Sequence, residues 1–573
     1  MIRRPTAFGS AFGRSGRANA PSGTPGSSRP SRSSRAFSQP ARRWPQALAF
    51  AVITAALSGC MSLAPEYQQP PLPVPPTFPE SGAQQNGDAS SAAALRAVEV
   101  GWKDYFTDPV LQGLIADALD HNKDLQLAIQ RVEEARAMYG IRRADQFPTL
   151  GVEADLARAR VPAQLSGYGV PMTATQYQVG IGMASWELDF WGRVANLKEA
   201  ALQNYLATDA ARQAVTLAVV EQVANSYLSL RELDERLMLT QQTIASRKES
   251  YRIFKRRHEV GSISRLDLKQ VETLWRQAEA LGAQLQQERA TRLNALQLLV
   301  GKPIDLPHED VKLDDNAVMR GLPAGLPSDL LTNRPDIVAA EYQLRGANAN
   351  IGAARAEFFP KITLTGAFGT ASTQLSDLFT GPSRAWNFGP SVSLPIFDAG
   401  RREANLDIAK SQRDQAVTSY ERAVQSAFRD VADALAAREW LAEQVTALRA
   451  TEAAQAERAR LAQLRYDHGA SPFLEVLDAQ RDLLTMQQQL VQTRRAYLSS
   501  LVSLYAALGG GALATSVPGA IISDADLSGK ADATATSNAI SPEIAAPGTG
   551  TPSAMPVPNA QRAPHAPAAP HTP

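Results

Sequence analysis

The chain has 573 residues, 20% of them charged, and its 58 Lys and Arg nearly balance its 57 Asp and Glu at a formal charge of +1. That balance misleads: the first 59 residues hold nine Arg and no acid, so the rest carries 49 basic against 57 acidic residues, a net of −8, and no nucleic-acid partner is expected. The single Cys excludes internal disulfides and any multi-Cys metal centre.

Residues 1–59 read as an export signal with a long Ser/Arg/Pro-rich leader. Ala47 to Leu57 is an eleven-residue apolar run preceded by Arg42-Arg43, too short to span a bilayer and suited to the core of a signal peptide. Leu57-Ser58-Gly59-Cys60 resembles a bacterial lipobox. The resemblance implies a diacylglyceryl group on the Cys60 thiol, cleavage that makes Cys60 the new N-terminus, and an N-acyl lipid there; no other cofactor is expected. Met61 is not the Asp that holds such proteins at the inner membrane, so the outer membrane is implied. The plainer alternative is an ordinary secretory signal with an incidental Cys. The leader itself is either sequence upstream of the true start or an extension with no fold of its own.

Residues 60–101 read as a lipidated tether, Pro-rich and extended from Pro65 to Pro79 and polar from Gly82 to Ser91. Trp102 to Phe106 opens the ordered part. Leu111, Leu114, Ile115, Ala118 and Leu119 recur at helical spacing, as do Leu125, Ile129, Val132 and Ala135, until Phe147-Pro148 stops the helix. Two strands follow: Val152, Ala154 and Leu156 alternate with Glu153, Asp155 and Ala157, and Tyr177, Val179, Ile181 and Met183 alternate with Gln178, Gly180, Gly182 and Ala184. A helix of about 67 residues from Gly192 to His258 is predicted next, about 100 Å long, with a return helix of half that length from Leu266 to Val300. Val223, Leu230, Leu237, Ile244 and Tyr251 keep strict seven-residue spacing on the long helix, which calls for supercoiled partners.

The chain then repeats itself. Phe147-Pro148 recurs as Phe359-Pro360, 212 residues on; Gly192-Arg193 recurs as Gly400-Arg401, Gly261 as Gly469 and Gly301 as Gly509, each 208 residues on. A repeat this long is a duplicated half of an architecture. Residues 102–301 form the first half and 336–511 the second, joined by an irregular connection over 302–335. In the second half Ile362, Leu364 and Phe368, then Trp386, Phe388, Val392, Leu394 and Ile396, mark the strands. Helices from Gly400 to Tyr466 and Leu474 to Leu508 follow. The short helix from Arg334 to Phe359 is expected to complete the return path of the first half by stacking above Leu266–Val300. Residues 512–573, rich in Ala, Pro, Ser and Thr, are expected to be a disordered tail.

Strands of about ten residues with one apolar face match outer-membrane barrel strands, and Trp186, Phe190, Trp191, Trp386 and Phe397 sit where an aromatic girdle meets the lipid interface. A small soluble sheet is the alternative, although Gly and Ser on the second face fit a water-filled lumen better. Four strands cannot close a membrane barrel, and lipid tolerates no open edge, so membrane-spanning strands require several chains to pool them. Composition alone does not choose between two chains and three.

Leu331-Thr332-Asn333-Arg334-Pro335-Asp336-Ile337, Ala340-Glu341, Phe359-Pro360 and Gly366 resemble the signature stretch of outer-membrane efflux lipoproteins. Trp186 to Arg193 and the ending Tyr505 to Gly511 are similar to two further stretches of that group, the NodT-type members of the TolC-like channels. The resemblance implies an α+β membrane protein: a homotrimer whose twelve-stranded outer-membrane β-barrel, four strands per chain, continues into a twelve-helix periplasmic α-barrel. It implies the passive exit duct of a pump, with a periplasmic adaptor and an inner-membrane resistance-nodulation-division transporter as partners and drugs or other small toxic compounds as cargo. A protein-secretion channel and a non-channel coiled-coil lipoprotein are the alternatives.

No catalytic or metal-binding constellation is present: the six His are scattered, and no HExxH or phosphate-binding loop occurs, so no enzyme is expected. A gate and a selectivity element belong at the helix reversals. Gly261 and Gly469 supply the left-handed backbone these turns need. Glu475 and Asp478, three residues apart on one helix face, predict stacked acidic rings in a trimer, with a solvated acidic face as the alternative. The resemblance implies that Asp267 and Tyr466 hold the entrance closed. Where the family carries a gate Arg this chain has Ser471, and Arg265 or Arg465 is the candidate substitute. Gly261, Ile263, Gly469 and Leu474 are the expected adaptor contacts.

Overall fold

A computed structural model of the chain describes residues 62–78, 97–167, 169–306, 312–322 and 327–511. Residues 1–59, expected to be an export signal, Cys60, expected to accept a lipid, and the expected tail over 512–573 lie outside the described residues.

Helix α1 (Pro109–His121) starts on Asp108, whose carboxylate accepts from the backbone N–H of Val110 at 2.8 Å, with Pro at its first position. Asn122 ends it and caps α2 (Lys123–Ala144), accepting from Leu125 N–H at 2.9 Å. α1 buries Leu111, Leu114, Ile115 and Ala118 as the spacing predicts. On α2 the buried stripe is Leu125, Ala128, Val132 and Ala135; Ile129, expected in it, faces outward because the covered face is centred on Ala128.

The sheet is four-stranded and antiparallel, β1 (Leu150–Val161), β2 (Met172–Leu188), β3 (Lys361–Ser372) and β4 (Arg384–Ser393), in the order β1-β2-β3-β4. Register aligns Val152 with Ile181, Ile181 with Phe368, and Phe368 with Trp386, so one apolar row crosses all four strands. These four side chains are 80, 55, 65 and 76% exposed. On the other face Gly151, Gly182, Ala367 and Asn387 form the matching row. The sheet therefore offers one uncovered apolar face and one small, polar face, with β1 and β4 as unpaired edges. Leu394 and Ile396, expected within the last strand, lie beyond it, since Pro395 offers no N–H for a further ladder bond. Where strands meet helices, Glu187 pairs with Arg193 at 2.6 Å and Lys361 at 3.0 Å, and Trp191 stacks on Phe359 at 4.7 Å.

Two helices of 67 residues follow the strand pairs, α3 (Arg193–Glu259) and, after β4, α6 (Arg401–Asp467). Each is about 100 Å long. Their return helices are α4 (Arg265–Val300) and α7 (Phe473–Ala507), and α5 (Pro335–Ala356) precedes β3. The heptad line of α3 is buried at Val223, Leu230 and Leu237 and half-buried at Ile244 and Tyr251.

The stacking of the short helices differs from the expectation. α4 ends against the start of α2, where a Cβ on Gly301 would fall on the His121 carbonyl and Asn122 Nδ2 donates to Leu299 O at 2.7 Å. α7 ends in the same way against the start of α5, with Gly509 facing the Asn333 carbonyl and Arg334 donating to Ala507 O at 3.3 Å. Each return path is thus completed by the short helix that precedes its own strand pair. Chain order suggested the next one because it brings α5 directly after α4; the caps at Asn122 and Arg334 decide otherwise.

α3 packs on α2 and α4 and also on α5 and α7, and α6 packs on α5 and α7. The wall of columns therefore runs α4/α2, α3, α7/α5, α6. At its waist one face is covered by a core in which Tyr105 stacks on Tyr505 at 4.1 Å and donates to Leu501 O at 2.7 Å, while Tyr505 donates to Val100 O at 2.8 Å. Ion pairs reinforce that level: Arg494 holds Glu235 at 3.0 Å and Asp315 at 2.8 Å, and Arg289 holds the fully buried Asp234 at 2.6 Å. Residues 62–78 lie along the same columns. Ser62 donates to Asn196 Oδ1 at 2.8 Å, Tyr67 to Glu341 at 3.1 Å, and Phe78 stacks on Phe428 at 5.1 Å.

Candidate functional site

The two helix reversals share one backbone design. In the first, Gly261 at φ +77° follows α3, and Ser262 N–H returns to Arg257 O at 2.8 Å; in the second, Gly469 at φ +73° follows α6, and Ala470 N–H returns to Arg465 O at 2.8 Å. These 6→1 bonds close the last helical turn and need the left-handed residue that Gly provides.

The caps that follow are different. Ser264 opens α4 with a capping box, accepting from Asp267 N–H at 3.1 Å while Asp267 accepts from Ser264 N–H at 3.2 Å and Oγ at 2.7 Å. The 208-residue offset carries Ser264 to Pro472 and Asp267 to Glu475. Pro472 has neither an N–H nor a hydroxyl to offer, so Glu475 is released from capping and pairs with Arg465 at 2.9 Å.

The two tips of the chain meet through rings. Phe254 lies 4.4 Å from Phe473, and Phe473 4.8 Å from Tyr466, between centroids; Leu268, Val271 and Leu477 are buried beside them. Arg257 crosses between the tips, donating to the Tyr466 hydroxyl with its guanidinium 5.7 Å from the Phe254 ring and 6.0 Å from that of Tyr466.

Of the expected gate residues, Tyr466 takes part in this junction, whereas Asp267 is held within its own cap. Arg465 is paired inside its hairpin, and Arg265 is exposed. The Ser471 hydroxyl is buried without a hydrogen-bond partner. Both expected ring carboxylates carry counter-charges, Glu475 from Arg465 and Asp478 from Arg481 at 3.1 Å. Gly261, Gly469 and Leu474 are exposed at the extremities; Ile263 is half-buried against the ring cluster. Sequence reasoning missed Arg257, Phe254 and Phe473. The repeat offset held the signal, since it makes Arg257 the counterpart of Arg465.

Among the described residues no His, Cys, Asp and Glu cluster could hold a metal ion, and no helix is long and apolar enough to cross a membrane.

A family model described as outer membrane efflux protein matches residues 114–302 and 326–510. The solvent efflux pump outer membrane protein SrpC of Pseudomonas putida is 44% identical over 459 residues, covering 79% of this chain and 96% of the relative. Outer membrane protein OprJ of Pseudomonas aeruginosa is 40% identical over 467 residues, covering 80% and 95%. Among solved structures, the open state of the Neisseria gonorrhoeae MtrE outer membrane channel superposes with a TM-score of 0.71 at 40% identity, covering 79% of this chain and 99% of that one.

Proposed function

The chain belongs to the outer membrane efflux protein family, and from that premise we propose that three copies form the passive exit duct of a tripartite pump. It is an outer-membrane efflux channel of the TolC-like kind, an α+β protein with four strands in each chain. The carrying observation is the sheet: an apolar face exposed along its whole width and two open edges are untenable in lipid unless other chains supply the missing pairs. Three chains give a twelve-stranded barrel, and three four-column walls give a twelve-column helical tube beneath it. The same order of elements in both halves favours a duplicated unit. Exposed Leu127, Met138 and Ile141 on α2 and Trp440 and Leu464 on α6 lie on the two outer columns, where a neighbouring protomer would cover them.

Anchoring through Cys60 is supported by Ser62, which hydrogen-bonds Asn196 near the membrane end of α3, two residues from the lipid acceptor. The gate is at the tips, held by Arg257, Tyr466 and the ring cluster, with the acidic pairs of Glu475 and Asp478 as the selectivity element. The exposed reversals receive a periplasmic adaptor, and an inner-membrane transporter provides the drive. No catalytic step is assigned to the chain. Cargo is small and toxic, by analogy with relatives named for solvent efflux. Reconstituted trimers should conduct ions across planar bilayers. A deletion strain should become sensitive to drugs and solvents while its secreted proteins stay unchanged; loss of a secreted protein instead would favour the secretion channel.

A further inference from the structure

A groove of about 760 Å³ lies at the waist between α3 and α6, floored by α7. Its floor is Ala496, Ser499, Ser503 and Ala506, the face of α7 opposite the one covered by Tyr105. We take the face covered by Tyr105 and Tyr505 as the outside of the tube, which makes the groove open on the lumen. Its volume is in the range of small-molecule sites, about 300–1,000 Å³.

The charges around it do not cancel. Arg334, ahead of α5, is engaged by Asp336 at 2.7 Å and Asp430 at 3.4 Å, and Arg429 by Asp430 at 2.8 Å and Asp433 at 3.9 Å. Among the described residues Glu221 of α3 forms no ion pair within 4 Å; it accepts a hydrogen bond from Ser503 Oγ at 2.8 Å and feels Arg334 only at longer range. The Ser499 hydroxyl, on the floor, is buried without a hydrogen-bond partner among the described residues. Ala and Leu side chains line much of the remainder. A site with an apolar wall, a spare carboxylate and a free hydroxyl is complementary to an organic cation.

We propose that this groove binds organic cations, with the Glu221 carboxylate as counter-charge, and so holds cationic cargo part-way along the duct. The inference rests on the channel reading. Burial raises the Glu221 pKa above the ordinary carboxylate value, and the charge of Asp430 adds to this, while Ser503 and Arg334 oppose it. Asp336, Arg429 and Asp433 are the other charged groups lining the groove. Affinity therefore falls as pH falls through the raised pKa.

Equilibrium binding of tetraphenylphosphonium, whose charge is fixed, to purified full-length trimers tests this. Glu221→Gln should weaken binding at least about tenfold, Glu221→Asp by no more than about threefold, and the remote Asp407→Asn not measurably. Neutral triphenylphosphine oxide should bind at least about tenfold more weakly than the cation. Lowering the pH through the raised Glu221 pKa should weaken binding to the wild type, and Glu221→Gln should lack that step. Equal binding by Glu221→Gln and wild type, or by the neutral compound and the cation, would overturn the proposal. Bilayer conductance of the same trimers separates the two readings: conducting trimers that ignore the cation sink this inference alone, and non-conducting trimers sink the channel.

Discussion

Arg257 and Tyr466, 209 residues apart in the chain, are joined by a hydrogen bond that ties the first helix reversal to the second. The Arg that the family resemblance led us to expect after the second Gly is replaced by Ser471, and the cross-tip cation comes from the first hairpin instead.

Removing either partner should loosen the tips. Arg257→Met and Tyr466→Phe should each raise single-channel conductance and admit large antibiotics into cells. The double variant should be little worse than either single one, with a coupling of about 1–2 kcal/mol. Fully additive effects would show that the two side chains act separately.

The proposed acidic rings should be partly masked by their own arginines. Arg465→Ala frees Glu475 and should raise the preference for cations over anions, read as a shift of reversal potential in a salt gradient. Glu475→Ala leaves Arg465 unopposed and should move it the other way. Unchanged potentials in both would remove Glu475 from the conduction path.

Facing matters in the barrel. Phe368→Arg puts a charge on the apolar row and should cost about 2–4 kcal/mol of membrane stability if it sits near the bilayer midplane. Asn387→Arg, on the opposite face, should be tolerated. The yield of folded trimer in liposomes checks both.

The tether should have an alkaline limit. Burial, and then the charge of Glu341, push the Tyr67 hydroxyl up to about 12. A pKa raised on folding favours the protonated form, so this contact contributes fully below about pH 10 and is lost as pH rises through about 12. Protease should release the segment across that window in the wild type. Tyr67→Phe, lacking the hydroxyl, should show no such step.

Much of the architecture could be read from the sequence, because its signals are local and periodic. The alternation at Val152 and Tyr177, the heptads from Val223 and the turn glycines each report on a single element. The stacking of α4 under α2 could not be read, because it depends on the Asn122 side chain reaching Leu299 across 177 residues. The tips were half legible. Gly261 and Gly469 stood out, yet the division of roles between Arg257 and Arg465 follows from the exchange of Ser264 for Pro472, visible only when the two halves are laid over each other. The pairing of Glu475 and Asp478 with Arg465 and Arg481 needed side-chain geometry.

The breaks at Gly301 and Gly509 also bear on motion. α4 is about 54 Å long and stops at Gly301, where it abuts Asn122 without continuing into α2. A tilt of about 5° there swings its far end by about 5 Å, while the strands above keep their register. Arg289, about 18 Å down α4 from that break, is pinned to Asp234 of α3, so below that level the two helices of the hairpin would swing together as one lever.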